Sequence, residues 1–129
     1  MHENQLAKEI VDAAYQVHSK LGPGLLESVY EVVLVHELKN RSLTVERQKA
    51  IPIHYDDLIF DEGFRADIIV ENSVIVELKS VEKVVPVHKK QLLTYLRLSN
   101  MKLGLLVNFG AELIKNGIFR VVNGLAENP

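Results

Sequence analysis

The stretch "GFRADIIVENSVIVELKS", Gly63 to Ser80, constrains the fold more than any other part of the chain. Two apolar runs flank the short polar pair Asn72 and Ser73. Strands with apolar side chains at consecutive positions bury both faces, so this hairpin belongs inside a sheet covered on each side. Yet Asp67, Glu77 and Lys79 interrupt the runs. A carboxylate or ammonium in a dry sheet is costly unless something completes it.

Alternation puts Glu77 and Lys79 on one face with Ile75, while Val74, Val76 and Leu78 take the other. A turn centred on Asn72 sets Asp67 directly across from Glu77 on the same face, whereas a two-residue turn would put the two acids on opposite faces. Opposed carboxylates weaken a sheet unless a shared proton or a bound cation compensates them. The same register opposes Arg65 to Lys79, a second unfavourable pair. With no cysteine and no paired histidines among the five at positions 2, 18, 36, 54 and 88, carboxylate oxygens remain to hold a hard divalent ion. The Asp-x9-Glu-x-Lys pattern therefore reads as two metal ligands and one cation on adjacent strands. Lys79 stands where it could stabilise a phosphate or orient an attacking water. The plainer alternative is an edge hairpin with its charges in water.

The rest of the chain supplies the covering layers. Apolar residues at helical spacing predict a helix over Glu3–Lys20, ended by the Gly22-Pro23-Gly24 break. A second helix is expected from about Leu26 to Lys39, with so little polar surface that it reads as well buried. Thr44–Tyr55 predicts a strand pushed toward a sheet edge by Pro52. "YDDLIFDEG" predicts turns around a short strand at Leu58–Phe60, before strands at Phe64–Glu71 and Val74–Ser80. Pro86 suits the first turn of a helix running from Val87 to about Leu98. "KLGLLVNF" predicts a strand covered on both faces, and Ile118–Val122 a last short one. The expected class is α/β, a mixed sheet flanked by helices, and 129 residues suit a single domain over 1–129.

Charge narrows the function classes. The formal net charge of −2 gives no strongly basic nucleic-acid balance. It is distributed unevenly, however. Asp56 to Glu77 is mostly acidic and Lys79 to Lys102 mostly basic, as a metal pocket beside a phosphate-binding flank would be; solvated faces are the alternative. No apolar run nears the ~18 residues of a membrane span. "MHENQLAKEI" lacks an apolar signal segment, and the expected location is the cytoplasm.

Four motifs in order resemble a known family. "GFRADIIV…VIVELKS" resembles the core of the PD-(D/E)xK nuclease superfamily, in which an Asp ending one strand and an acid-x-Lys on the next form the active site. "QLLTY" is similar to the Q-x-x-x-Y element of RecB-type members, and "GFRAD" to their G-hydrophobic-x-x-D lead-in. "GLLESVY", Gly24 to Tyr30, matches the G-x-x-E-x-x-Y signature of a family of small bacterial proteins. Ala66 stands where the superfamily pattern has proline, which is not a ligand.

The resemblance implies a restriction-endonuclease-like core and a Mg²⁺- or Mn²⁺-dependent nuclease acting on DNA in preference to RNA. Its implied catalytic set is Asp67, Glu77, Lys79 and Gln91, with Glu27, Tyr30 and Tyr95 in support. Glu27 would join Asp67 and Glu77 at the metal. Its plainer role is a favourable charge at a helix N-terminus. Tyr30 either bonds a site carboxylate or lies in the core with its hydroxyl satisfied. Lys89, Lys90 and Arg97 are candidate phosphate contacts, against the alternative of ordinary exposed helix cations. The competing function is a catalytically silent nuclease-fold module that binds nucleic acid or a protein partner. A bare core gains binding surface as a symmetric homodimer or as a subunit of a larger complex, and both are expected partners.

Overall fold

A computed structural model describes residues 1–126. The elements are α1 (Glu3–Leu21), α2 (Glu27–Asn40), β1 (Val45–Tyr55), β2 (Leu58–Val70), β3 (Val74–Lys79), α3 (Pro86–Ser99), β4 (Leu103–Asn108), a 3₁₀ turn (Ile114–Asn116) and β5 (Ile118–Val122). The five strands lie in the order β1-β2-β3-β4-β5. All neighbours are antiparallel except β3 and β4, which run parallel and are joined across one face by α3. This is the expected mixed α/β sheet flanked by helices.

Two cores sandwich the sheet. On one side α1 and α2 bring Leu6, Ile10, Tyr30 and Leu34 onto Val74, Val76 and Leu78. On the other, α3 brings Leu92 and Leu96 onto Ile69, Ile75 and Leu106. β3 is thus apolar along the whole face toward α1 and α2, and toward α3 at Ile75, with Glu77 and Lys79 further along that second face. Gly104 lets α3 approach closely: a Cβ there would stand 2.9 Å from the Leu92 side chain.

Two expectations need correction. Leu58–Phe60 and Phe64–Glu71 are not separate strands but one, Leu58–Val70, paired with β1 along its length. The acids Asp61 and Glu62 do not break it because this end is a two-stranded ribbon beyond the rest of the sheet, where charges face water. Pro52 lies at the irregularity in the β1–β2 pairing between Ile51 and Ile53, on the edge strand, where a missing donor is tolerated. Nor is α2 buried all round. Tyr30, Leu34 and Leu38 form its inward stripe, while Val29 and Val32 face outward and Val32 is 52% exposed. No helix among the described residues is long and apolar enough to cross a membrane.

The loop leaving β3 is fastened. The Asn108 side chain, 2% exposed, accepts from the N–H groups of Val81 and Gly110 and donates to the Val81 carbonyl. Gly110 has no room for a side chain, since a Cβ would meet the Val81 oxygen at 2.3 Å. On the other side of that exit, Ser80 Oγ donates to the Leu25 carbonyl at 2.6 Å. The end of β3 is therefore tied to the loop before α2 and to the end of β4. Asn108→Ala would strand two part-buried N–H groups and is expected to cost about 1–3 kcal/mol, measured by urea denaturation; an unchanged midpoint and slope would refute this role.

Candidate active site

β2 and β3 pair at Val70–Val74, Ile69–Ile75 and Ile68–Val76, and there the ladder stops. This is the register expected from a turn centred on Asn72, where Glu71 and Asn72 take φ of 51° and 52°. Asp67 and Glu77 are the next opposed residues, at the point where the strands part. β3 continues along β4 to Lys79, while β2 continues along β1. The two carboxylates fill the gap. Glu77 Oε2 accepts from the Asp67 backbone N–H at 2.8 Å, and Asp67 Oδ2 accepts from the Leu78 N–H at 2.9 Å. Each acid thus satisfies the backbone of the other strand, replacing ladder bonds lost on parting.

The alternation of β2 slips at this point. Phe64 and Ala66 pack into the α3-side core with Ile69, whereas Ile68 and Val70 pack into the other. Because the ladder has ended, the expected opposition of Arg65 to Lys79 does not arise. Arg65 instead pairs with Glu62 through Nε and Nη2, both at 2.8 Å, and its Nη1 donates to the Gln48 carbonyl.

The acids interact strongly. The Glu77 carboxyl is pushed up from 4.5 to about 8, first by burial and next by the Asp67 charge; the Asp67 N–H bond and the Lys79 ammonium oppose this. Lys79 follows two residues along β3, on the face of Ile75 and Glu77. From α3, Tyr95 stacks on Phe64 with ring centroids 4.0 Å apart. Burial raises its hydroxyl pKa, and the Glu77 and Asp67 charges add to that, which puts it within electrostatic reach of both. Gln91 lies one helical turn earlier and is exposed.

Among the described residues, no hydrogen bond joins the other candidates to Asp67 or Glu77. Tyr30 is fully buried, stacked on Phe109, and its hydroxyl donates to the Gly22 carbonyl and accepts from the Leu25 N–H. It is a core residue that shapes the Gly22–Leu26 loop rather than a partner of the carboxylates. Glu27 is the exposed first residue of α2, just after that loop. Lys89 sets its ammonium over the Phe119 ring, 4.1 Å from the centroid, while Lys90 and Arg97 are exposed on α3. His18 bonds the Ala111 carbonyl, and His2 and His88 accept from backbone N–H groups at the starts of α1 and α3.

The buried acid of α2 is Glu31, 7% exposed, not Glu27. It accepts from Arg47 and Gln48 of β1, and Gln48 also approaches Asp67. Gln48 and Ser80 escaped the sequence reasoning. The one available hint was the polar run Glu46-Arg47-Gln48 inside an otherwise alternating strand.

The donor set fits a hard divalent ion. Asp67 and Glu77 each commit one oxygen to the backbone; Glu77 Oε1 is left for a further partner, and Asp67 Oδ1, which Gln48 Nε2 approaches at 3.4 Å, keeps a second lone pair for one. Mg²⁺ is typically held by one or two carboxylates, its remaining positions going to water and substrate phosphates. No group of three acidic or histidine side chains suited to a metal occurs among the described residues. The site offers two carboxylates, whose mutual repulsion a cation would relieve.

The Glu77 shift gives a pH dependence with a definite sign. Between pH 4.5 and about 8 the folded state holds a proton that the unfolded state has released. Metal-free protein, kept in chelator, is expected to lose stability as pH rises through that window. Glu77→Gln is expected to flatten the slope. Denaturant melts at intervals from pH 5 to pH 8.5 check this, and equal slopes for parent and variant would refute it.

No curated protein and no solved structure matches the chain. A family model described as the PD-(D/E)XK nuclease superfamily matches residues 4–121. That match spans nearly all the described chain, including both strands that carry the acids and the helix that carries Tyr95. With the mixed sheet, it establishes that this chain belongs to the PD-(D/E)XK nuclease superfamily.

Proposed function

We propose that the protein is a divalent-metal-dependent nuclease that hydrolyses phosphodiester bonds in DNA, with RNA the less favoured substrate. One observation carries this: Asp67 and Glu77 meet where β2 and β3 part, with Lys79 on the same face of β3. Superfamily members generally use divalent metals, and the two-carboxylate donor set is consistent with Mg²⁺ or Mn²⁺. Within the superfamily, "GLLESVY" supports placement in the G-x-x-E-x-x-Y family of small bacterial proteins.

Asp67 and Glu77 hold the cation, with Glu27 as a candidate third acid reached from α2. When bound, that ion supplies a lowered pKa for water and charge neutralisation at phosphate. The chain's own groups supply the rest. The Asp67–Leu78 and Glu77–Asp67 bonds fix both carboxylates before substrate arrives, so little reorganisation is needed during reaction. Lys79 places a positive charge beside the phosphate and favours the added negative charge of its transition state. Gln91 orients water or a phosphate oxygen from α3, and Tyr95 walls the site. Lys90 and Arg97 guide the phosphate backbone along the basic flank, with Lys89 at its β5 end.

The alternative, a catalytically silent nuclease-fold module, draws on a different surface. At the tip of the β1–β2 ribbon Tyr55, Leu58, Ile59 and Phe60 are exposed, with Asp56, Asp57 and Asp61 among them. Apolar side chains rimmed by acids suit a protein partner, a second copy or a larger complex, better than a phosphate backbone.

Purified protein with single-stranded, duplex, flap and junction DNA in Mn²⁺ or Mg²⁺ tests the proposal. Metal-dependent cleavage is expected, lowered about 10²-fold or more in Lys79→Ala, the scale of losing one transition-state charge stabiliser. Equal cleavage by parent and variant overturns the assignment of Lys79. No cleavage by either, with both folded, turns the function to the silent module.

A further inference from the structure

Two consecutive residues of β1 reach one buried carboxylate. Arg47 donates to Glu31 Oε2 from Nε at 3.1 Å and from Nη2 at 2.8 Å, and Gln48 Nε2 donates to Oε1 at 2.7 Å. Consecutive side chains of a regular strand point to opposite faces. Here the backbone of Gln48 is left-handed, with φ 49°, and the strand is not regular. A side-chain-bearing residue is strained in that region, and such strain persists where its surroundings hold it, often at functional sites.

The surroundings point to Asp67. Arg47 pairs with Ile68 and Lys49 with Ala66, so Gln48 stands opposite Asp67, at the position where the pairing lapses. A primary amide has two N–H donors. Beyond its bond to Glu31, Gln48 Nε2 lies 3.4 Å from Asp67 Oδ1. The other Asp67 oxygen is held by the Leu78 N–H. The carboxylate is therefore restrained at both oxygens, from β3 and from β1. Arg47 balances the charge of Glu31, so the anchor adds no net charge to the site. A neutral donor suits this place: a carboxylate would repel both acids, and an ammonium would compete with a cation.

We propose that Gln48, anchored by Glu31, is a positioning residue that sets the plane of the Asp67 carboxylate for the divalent cation. This rests on the nuclease function proposed above. Residues that orient metal ligands commonly change metal affinity or activity 10- to 100-fold when removed.

Gln48→Gly removes the amide and relaxes the left-handed backbone, which offsets part of the cost of leaving Glu31 Oε1 without its donor, so the fold is expected to persist with stability at or somewhat below that of the parent. Mn²⁺ affinity, measured by titration calorimetry, should fall about tenfold or more, with Asp67→Asn as a control that loses binding. On the DNA that the parent cleaves, kcat should fall and KM stay unchanged. Crystal structures of parent and Gln48→Gly should show the Asp67 carboxylate rotated in the variant. A merely structural role would leave Mn²⁺ affinity and the Asp67 carboxylate unchanged, whatever the stability. Parent-like Mn²⁺ affinity in a folded variant overturns the proposal, as does an Asp67 carboxylate that has not moved. A parent that binds no Mn²⁺ and cleaves nothing overturns the nuclease function instead, and the Asp67 rotation then decides positioning by itself.

Discussion

The site depends on the parting of two strands. A sheet that splits in its interior exposes N–H groups that water cannot easily reach, and buried donors without partners are rare. Here the side chains of Asp67 and Glu77 accept those bonds across the gap. The same placement brings two carboxyl groups into a poorly solvated space, where burial and the Asp67 charge raise the Glu77 pKa against the opposing pull of the Asp67 N–H bond. A structural repair and a strained electrostatic centre are thus made by the same atoms.

Much of the frame was legible in the sequence because it is written in periodicity. The order of helices and strands follows the expected one, with ends shifted by a residue or two except at β2, which joins two expected strands. The Asn72-centred register and the division of β3 into an apolar face and a Glu77–Lys79 face also match. Period-based reasoning fails where the period itself breaks. It carried the ladder on through Asp67 and so opposed Arg65 to Lys79, when the strands have already separated. It divided β2 at its acids, because solvent on both sides of a ribbon is not written in a local window. It counted valines on α2 without knowing that Val32 faces outward, half-exposed among the described residues.

The candidate site was legible to a different degree. Asp67, Glu77 and Lys79 stood out because charges in an apolar run are conspicuous. Tyr30 was ambiguous, since a tyrosine one turn after an acid suits either a site or a core; stacking on Phe109 and the bonds to Gly22 and Leu25 make it core. Gln48 was invisible because its contribution requires a backbone turn that no spacing rule encodes. Ser80 and Asn108 were missed for a related reason. Their bonds join loops distant in sequence, and each holds the exit of β3 in place.

The turn at Gln48 also bears on how the molecule avoids sticking to itself. β1 is an outer strand, and an uninterrupted outer strand offers its free amides and carbonyls as a template for another chain. The left-handed residue at Gln48 and the irregularity at Pro52 divide that row into short pieces. The ribbon tip can then carry Tyr55 and Phe60 in the open without a long backbone edge beside them to seed sheet growth. The geometry that bends β1 toward Asp67 thereby also guards the chain against aggregation.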